Sequence, residues 1–149
     1  MKKFLHNAFR IILPLLFGAL GAFLTRNHTD IYSSLRLPPF APPSMLFPIV
    51  WSLLYLLMGI GYNIAYLKSR AVTAPLISQL IINILWPVIF FNLNAYLLAV
   101  LWLVLLIFLS VVMTAAFYRA DKRAAYLQIP YFAWLLFALY LNIAVAVLN

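Results

Sequence analysis

The chain has no cysteine and almost no acidic residues. Of its 149 residues, only Asp30 and Asp121 are acids, and only His6 and His28 are histidines. The lack of cysteine excludes disulfides and thiolate metal sites. Two acids and two histidines are too few ligands for a metal centre, and they form no Ser-His-Asp or Cys-His set. We therefore expect no metal, no cofactor and no hydrolytic machinery built from side chains.

Charge is also scarce. Charged residues make up 8% of the chain and hydrophobic residues 68%, whereas a soluble domain has roughly 25% charged residues. An excess of ten Lys and Arg over two acids would suggest a nucleic-acid partner in a soluble protein. Here the basic residues lie between apolar runs and form no basic face on a folded domain. The pattern indicates a membrane protein and argues against nucleic-acid binding.

Five apolar segments are long enough to cross a bilayer, which takes about 20 residues in a helix. They cover approximately residues 4–25, 44–67, 73–91, 95–118 and 123–148. We therefore predict an all-α membrane protein: one domain, 1–149, folded as a single bundle of five transmembrane helices, with a proline-rich loop at 26–43. Thr73 and Asp121 are the expected N-caps of the third and fifth helices. No acid, lysine or histidine lies near the middle of a span, which argues against a proton relay or ion-coupled transport.

The basic residues predict the orientation in the membrane. Eight of the ten fall on the N-terminal side of the predicted bundle, and only Arg26 and Arg36 fall on the other. Because basic residues favour the cytoplasmic side, we expect the N terminus inside and the C terminus outside. The expected location is a bacterial plasma membrane.

Small, polar and aromatic residues recur at helical spacing within the spans. In the first span, Pro14, Gly18, Gly21 and Thr25 form a stripe that is typical of a packing seam. The other stripes are Trp51, Tyr55, Met58 and Tyr62 in the second span; Gln79, Asn83, Trp86 and Phe90 in the third; a weaker one of Ala99, Leu103, Leu106 and Ser110 in the fourth; and Tyr131, Trp134, Ala138, Leu141 and Asn142 in the fifth.

These stripes allow two interpretations. Each aromatic alone would be an ordinary core residue, but recurrence in three helices makes an apolar pocket with a few polar groups, the usual form of a small-molecule site, an equal alternative. The amides of Gln79 and Asn83 need hydrogen-bond partners if buried. They could bond across helices, with Asn142 as one partner, or an amide could orient the polar edge of a ligand.

Three segments resemble the TspO/MBR family, in the same order along the chain. They read LPPFAPPSMLFPIVWSLLYLLMG from Leu37, QLIINILWPVIFF from Gln79 and IPYFAWLLFALYLN from Ile129. The resemblance implies a five-helix bundle, often a homodimer, with a pocket under the first loop that binds porphyrins, haem and isoquinoline-type drugs. The implied ligand-binding residues are Pro42, Pro43, Trp51, Asn83, Trp86, Phe90, Trp134, Ala138, Leu141 and Asn142.

The resemblance leaves the activity open. The main expectation is a receptor or translocator of flat apolar molecules in the bilayer. One alternative is light- and oxygen-dependent porphyrin degradation, for which Trp51 and Trp134 match the implicated tryptophans. Phe40 stands in the loop where many relatives have tryptophan, which argues against that chemistry. A basic residue is also missing after Tyr140, so the C-terminal sterol motif of some relatives is absent. A purely structural scaffold is the second alternative.

Overall fold

A computed structural model of the chain describes residues 2–28 and 30–149, and within them every regular element is a helix. Met1, at the start of the predicted domain, and Thr29, in the predicted loop, lie outside this description. The helices are α1 Lys2–Thr25, α2 Ile31–Ser34, α3 Leu46–Tyr66, a 3-10 turn Arg70–Val72, α4 Thr73–Pro87 with a π-helical turn Val88–Asn92, α5 Tyr96–Ala120, α6 Lys122–Tyr126 and α7 Ile129–Leu148.

Five of these helical segments are long and apolar enough to cross a membrane. Three correspond to α1, α3 and α5; the third in chain order joins the 3-10 turn, α4 and the π turn; and the fifth joins α6 and α7. This confirms the predicted all-α membrane fold with five spans. The spans keep their apolar side chains on the outside as well as the inside, as expected where lipid replaces water.

The fifth span differs from the single helix that the sequence predicted. It is divided at Leu127 and Gln128, between α6 and α7. Pro130 lies in the first turn of α7, and its ring nitrogen cannot donate the backbone hydrogen bond that a continuous helix would need there. Asp121 does cap this region: its carboxylate accepts a hydrogen bond from the Arg123 backbone N–H at 2.9 Å.

The predicted N-cap at Thr73 is wrong. Thr73 is the first residue of α4, and Val72 occupies the cap position without a side-chain bond. The Thr73 hydroxyl instead lies 3.0 Å from the hydroxyl of Tyr62. A partner on the neighbouring helix thus replaces the local backbone donor that the sequence pattern suggested.

Glycines let α1 approach its neighbours closely. Gly18 lies against the ring of Tyr55, and Gly21 packs on Ile84 of α4. On α3, Gly59 faces the backbone carbonyl of Ile11 so closely that a Cβ would collide with it. The small-residue stripe of α1 is therefore a packing seam inside the bundle, as the sequence indicated.

Helix α5 is apolar on all sides but buries only one face in the core. Its residues Ala99, Leu103, Leu106 and Ser110 are each fully buried, so the weak stripe predicted for the fourth span marks its inward face. Helix α5 packs between α4 and α7. This arrangement holds α3, α4 and α7 around a shared interior.

The segment between α2 and α3, residues 35–45, forms a lid over one end of that interior. The Tyr32 hydroxyl donates to the Pro42 carbonyl at 2.8 Å, and the Tyr140 hydroxyl donates to the Pro39 carbonyl at 3.0 Å. The Asn149 side chain pairs with both the N–H and the carbonyl of one lid residue, Arg36. Side chains from α2, from α7 and from Asn149 after α7 therefore hold it down.

Candidate functional site

An aromatic wall lies directly beneath the lid. Phe47 of α3 is in edge contact with Tyr32 (ring centroids 5.2 Å apart) and with Trp134 of α7 (6.0 Å). One turn further along α3, Trp51 packs edge-on against Tyr131 of α7 at 6.2 Å. We call these five residues the aromatic wall. They join the lid to α3 and α7 through ring contacts.

The lid is coupled to this wall by a buried hydroxyl. Burial raises the pKa of Tyr32 above its ordinary value of 10.0, and its protonated hydroxyl donates to the Pro42 carbonyl. The ring of the same tyrosine touches Phe47. Tyr32 thus contacts the lid through its hydroxyl and Phe47 of the aromatic wall through its ring.

Trp134 carries a polar atom without a partner. Its indole Nε1 is buried and has no hydrogen-bond acceptor within the described part of the chain. Two of the other three indoles have acceptors: Trp86 donates to the Asn142 side chain at 3.1 Å, and Trp102 donates to the Ile82 carbonyl at 2.8 Å. A buried N–H without an acceptor costs free energy, about 1–3 kcal/mol. The wall therefore contains an unused donor among apolar rings.

A chain of buried hydrogen bonds connects three helices behind the wall. Asn83 of α4 accepts from the Tyr55 hydroxyl at 3.1 Å and donates to the Tyr131 hydroxyl at 2.9 Å. Tyr131 in turn donates to Gln79 at 2.9 Å, and the Gln79 amide nitrogen lies 3.0 Å from the Met58 sulfur. Both amides therefore bond across helices, one of the two interpretations that the sequence allowed.

Asn142 is not part of this chain, contrary to one suggestion from the sequence. It accepts from the Trp86 indole, and its own amide nitrogen donates to the Ala138 carbonyl at 2.7 Å. The Trp86 ring also packs on Phe90 with centroids 5.5 Å apart. Trp86, Phe90, Asn142 and Ala138 form a second group. Trp86 packs against two clusters of buried residues, one that contains Tyr131 and one that contains Phe90.

The predicted site residues thus fall into two neighbouring groups. Trp51 and Trp134 lie in the aromatic wall, with Asn83 bonded to its member Tyr131, whereas Trp86, Phe90, Asn142 and Ala138 lie in the second group. Leu141 is buried on α7. Pro42 and Pro43 both belong to the lid, where Pro42 is buried and Pro43 is exposed.

Three residues of the wall were missing from the predicted site: Tyr32, Phe47 and Tyr131. Tyr131 lay on the predicted stripe of the fifth span, so its position was available from the spacing. Phe47 lies one turn before Trp51 and could have been found in the same way. Tyr32 gave no such signal, because its place depends on how the lid folds back.

The sequence profile of the TspO/MBR family matches residues 10–148. The chain belongs to the TspO/MBR family. It is 34% identical over 144 residues to "Tryptophan-rich protein TspO" of Archaeoglobus fulgidus, covering 93% of this chain and 94% of the relative. It is 37% identical over 139 residues to "Protein CrtK" of Rhodobacter capsulatus, covering 89% and 85%.

The chain is also similar to a mammalian protein. "Translocator protein" of Bos taurus is 34% identical over 139 residues, covering 88% of this chain and 82% of the relative. The matched residues 10–148 include four spanning segments in full, most of the first one, and the lid. Family membership and five apolar helices together make the chain an integral membrane protein.

Proposed function

We propose that this TspO/MBR protein binds a flat, largely apolar molecule of the porphyrin class beneath the lid. The observation that supports this most directly is the unpartnered indole N–H of Trp134, which is buried among aromatic rings. A flat ligand with a polar edge would stack on the rings and accept that hydrogen bond. Haem-type tetrapyrroles and isoquinoline-type drugs have the same combination of flat ring and acceptor.

The ligand would enter between aromatic rings that are in contact in this structure. Phe47 contacts Trp134, and Trp51 contacts Tyr131. Binding would separate such ring pairs and replace their contacts with ligand contacts, which conserves most of the apolar burial. Replacing ring contacts by ligand contacts is easiest next to the lid, because few hydrogen bonds hold residues 35–45.

Asn83 has a positioning role in this proposal. Its amide already donates one N–H to Tyr131 and accepts from Tyr55, so its first role is to hold a neighbouring ring rather than to meet a ligand, although one N–H and one lone pair stay unused. Asn83 would instead hold the Tyr131 ring where Trp51 packs on it. Trp86, Phe90, Ala138, Leu141 and Asn142 would supply the adjoining wall for a larger ring system.

The test is a titration of the purified protein with protoporphyrin IX in the dark, followed by the porphyrin absorption band. We expect Trp134→Phe to weaken binding about fivefold, because it removes one hydrogen bond worth about 1 kcal/mol and keeps a flat ring. Trp102→Phe is the matched control, since its indole already has a backbone acceptor. Equal affinities of the two variants would refute the proposed role of Trp134.

Porphyrin degradation is a second candidate, favoured by the presence of Trp51 and Trp134 in one wall. Light would excite the porphyrin, dioxygen would be the oxidant, and the indoles would be the oxidisable side chains. Illuminating the bound porphyrin in the wild type and in Trp51→Phe/Trp134→Phe distinguishes the two functions. Faster bleaching with a new pigment in the wild type alone would establish degradation; equal bleaching supports binding.

We also propose the orientation that the basic residues indicate, with the lid and Asn149 outside a bacterial plasma membrane. A reporter fused after Asn149 should be active only outside the cytoplasm. Cytoplasmic activity of the fusion would reverse the orientation without affecting the ligand proposal. The homodimer implied by the family resemblance stays a prediction.

A further inference from the structure

Two grooves flank the last turns of α5, at the end of the bundle opposite the lid. The first, of about 420 Å³, lies between α5 and the α6–α7 region and is lined by Thr114, Ala125 and Phe132. The second, of about 540 Å³, lies between α5 and the start of α4 and is lined by Ala71 and Pro75. Both grooves are mainly apolar.

A single ridge of α5 separates the two grooves. Val111, Ala115 and Arg119 line both of them, and their spacing of four residues places them on one helix face. From Val111 to Arg119 the ridge is about 12 Å long, at ~1.5 Å per residue. This is close to half of the ~30 Å hydrocarbon core of a bilayer, so the ridge has the length of one leaflet.

The charge at this end of the bundle is strongly positive. Arg119 is exposed at the end of the ridge, and Lys122 lies near it, with its ammonium 5.6 Å from the Tyr118 ring. Lys68 and Arg70 flank the loop that lines the second groove. The acid at this end, Asp121, is already paired with Arg123 at 2.9 Å, so it does not neutralise Arg119.

From these observations we infer that the two grooves hold the acyl chains of one anionic phospholipid, which straddles the α5 ridge with its phosphate on Arg119. The two grooves match the two chains of such a lipid, and the cationic end of the ridge matches its headgroup. Thr114 adds a polar feature: its buried hydroxyl has no partner among the described residues. It lies about 7.5 Å below Arg119 along the helix, near the depth of the lipid ester groups.

The proposal is tested with the full chain in detergent, by measuring the retention of phosphatidylglycerol and phosphatidylcholine with matched acyl chains by native mass spectrometry. The wild type should retain phosphatidylglycerol in preference. Arg119→Gln should weaken that retention about fivefold, the effect of about 1 kcal/mol per basic residue at an anionic lipid surface. Arg26→Gln is the matched control, since Arg26 lies at the opposite end, over the Phe23 ring at 4.2 Å.

A second variant tests the grooves themselves. Ala115 is exposed on the ridge, so Ala115→Phe should leave the fold intact while it obstructs both grooves and reduces retention of both lipids. Equal retention of the two lipids by the wild type, or equal phosphatidylglycerol retention by Arg119→Gln and Arg26→Gln, would overturn the proposal. So would a shift from dimer to monomer in Ala115→Phe with unchanged lipid retention, because the grooves would then hold a second copy of the chain.

Discussion

Replacing Asn83 with leucine should destabilise the bundle through a tyrosine on another helix. The substitution keeps a similar volume but removes an acceptor for Tyr55 and a donor to Tyr131. Tyr131 still donates to Gln79. The hydroxyl of Tyr55 is left buried without an acceptor, so most of the cost should arise there.

The magnitude follows from these two bonds. Hydrogen bonds between membrane helices average about 0.6 kcal/mol and reach about 1.7 kcal/mol, and a buried donor left unsatisfied costs about 1–3 kcal/mol. We expect Asn83→Leu to lower the free energy of unfolding by about 2 kcal/mol. Tyr55→Phe, which removes a single bond, should lower it by about 1 kcal/mol.

A double-mutant cycle in mixed micelles, with unfolding driven by SDS, measures the coupling. With Tyr55→Phe in the background, Asn83→Leu no longer strands a hydroxyl, so the double variant should be about 1 kcal/mol more stable than the sum predicts. Asn83→Leu combined with Tyr140→Phe is the control, because the two residues share no hydrogen-bond partner. That pair should be additive.

A coupling below about 0.3 kcal/mol, within the usual error of additivity, would refute the reasoning, because it would mean that Tyr55 finds another acceptor when Asn83 is lost. An unchanged stability of Asn83→Leu alone would refute it as well. The same variants can be titrated with protoporphyrin IX. If Asn83 positions Tyr131, binding should weaken in Asn83→Leu even where the protein stays folded.

Other predictions concern the lid, a helix contact and a cap. Tyr140→Phe should open the lid more often and speed porphyrin association about fivefold in stopped flow, because it removes one hydrogen bond of about 1 kcal/mol; an unchanged rate would contradict this. Gly59→Ala should destabilise the protein by about 1–3 kcal/mol, because the added Cβ overpacks against α1. Gly21→Ala is the control: its added Cβ would have its nearest neighbour at 3.8 Å, so its stability should stay within about 1 kcal/mol of the wild type. Equal thermal stabilities of the two variants would contradict this prediction. Hydrogen bonds from the Arg123 side chain and backbone lower the pKa of Asp121 from 3.8, so its cap contributes fully above about pH 4 and is lost as pH falls through the lower folded value. Thermal unfolding of Asp121→Asn should therefore lose this part of the acid sensitivity, and an identical pH profile would contradict it.

The inward faces of the helices were predictable because few residue types mark them. In lipid, apolar residues are equally stable on either face, so small and polar residues carry the information. Gly18, Gln79 and Asn83 were identified in this way, and so was the buried face of α5, although nearly all of its residues are apolar. The alternation of apolar runs and basic residues predicted the five spans.

The helix interruptions were harder to predict. Pro87 and Pro130 were visible in the sequence, but a proline in a membrane helix can produce a bend, a π turn or a break, depending on which neighbours satisfy the freed carbonyls. After Pro87 the chain continues as a π turn, whereas near Pro130 it divides into α6 and α7. The outcome depends on tertiary contacts that spacing alone does not contain.

The pairing of buried amides failed for a similar reason. Asn83 and Asn142 both needed partners, but the sequence could not show that tyrosine hydroxyls and an indole were nearer than the other amide. Tyr131 serves Asn83 and Gln79 together because a hydroxyl can donate and accept at once. One tyrosine hydroxyl on α7 thus satisfies two amides of α4, and this favours it over a direct amide pair.

The composition of the lid suits the opening that the proposed ligand entry requires. Each proline lacks an N–H but keeps its carbonyl, so a lid with Pro38, Pro39, Pro42 and Pro43 has more acceptors than donors. Backbone N–H groups of Ala41 and Leu46 serve the Pro38 and Pro43 carbonyls, whereas tyrosine hydroxyls from outside the lid serve Pro39 and Pro42. Water can replace those donors when the lid lifts, so opening leaves few polar groups unsatisfied. The stiffness of the prolines would make residues 35–45 move together, which suits a lid that exposes the aromatic wall in one step.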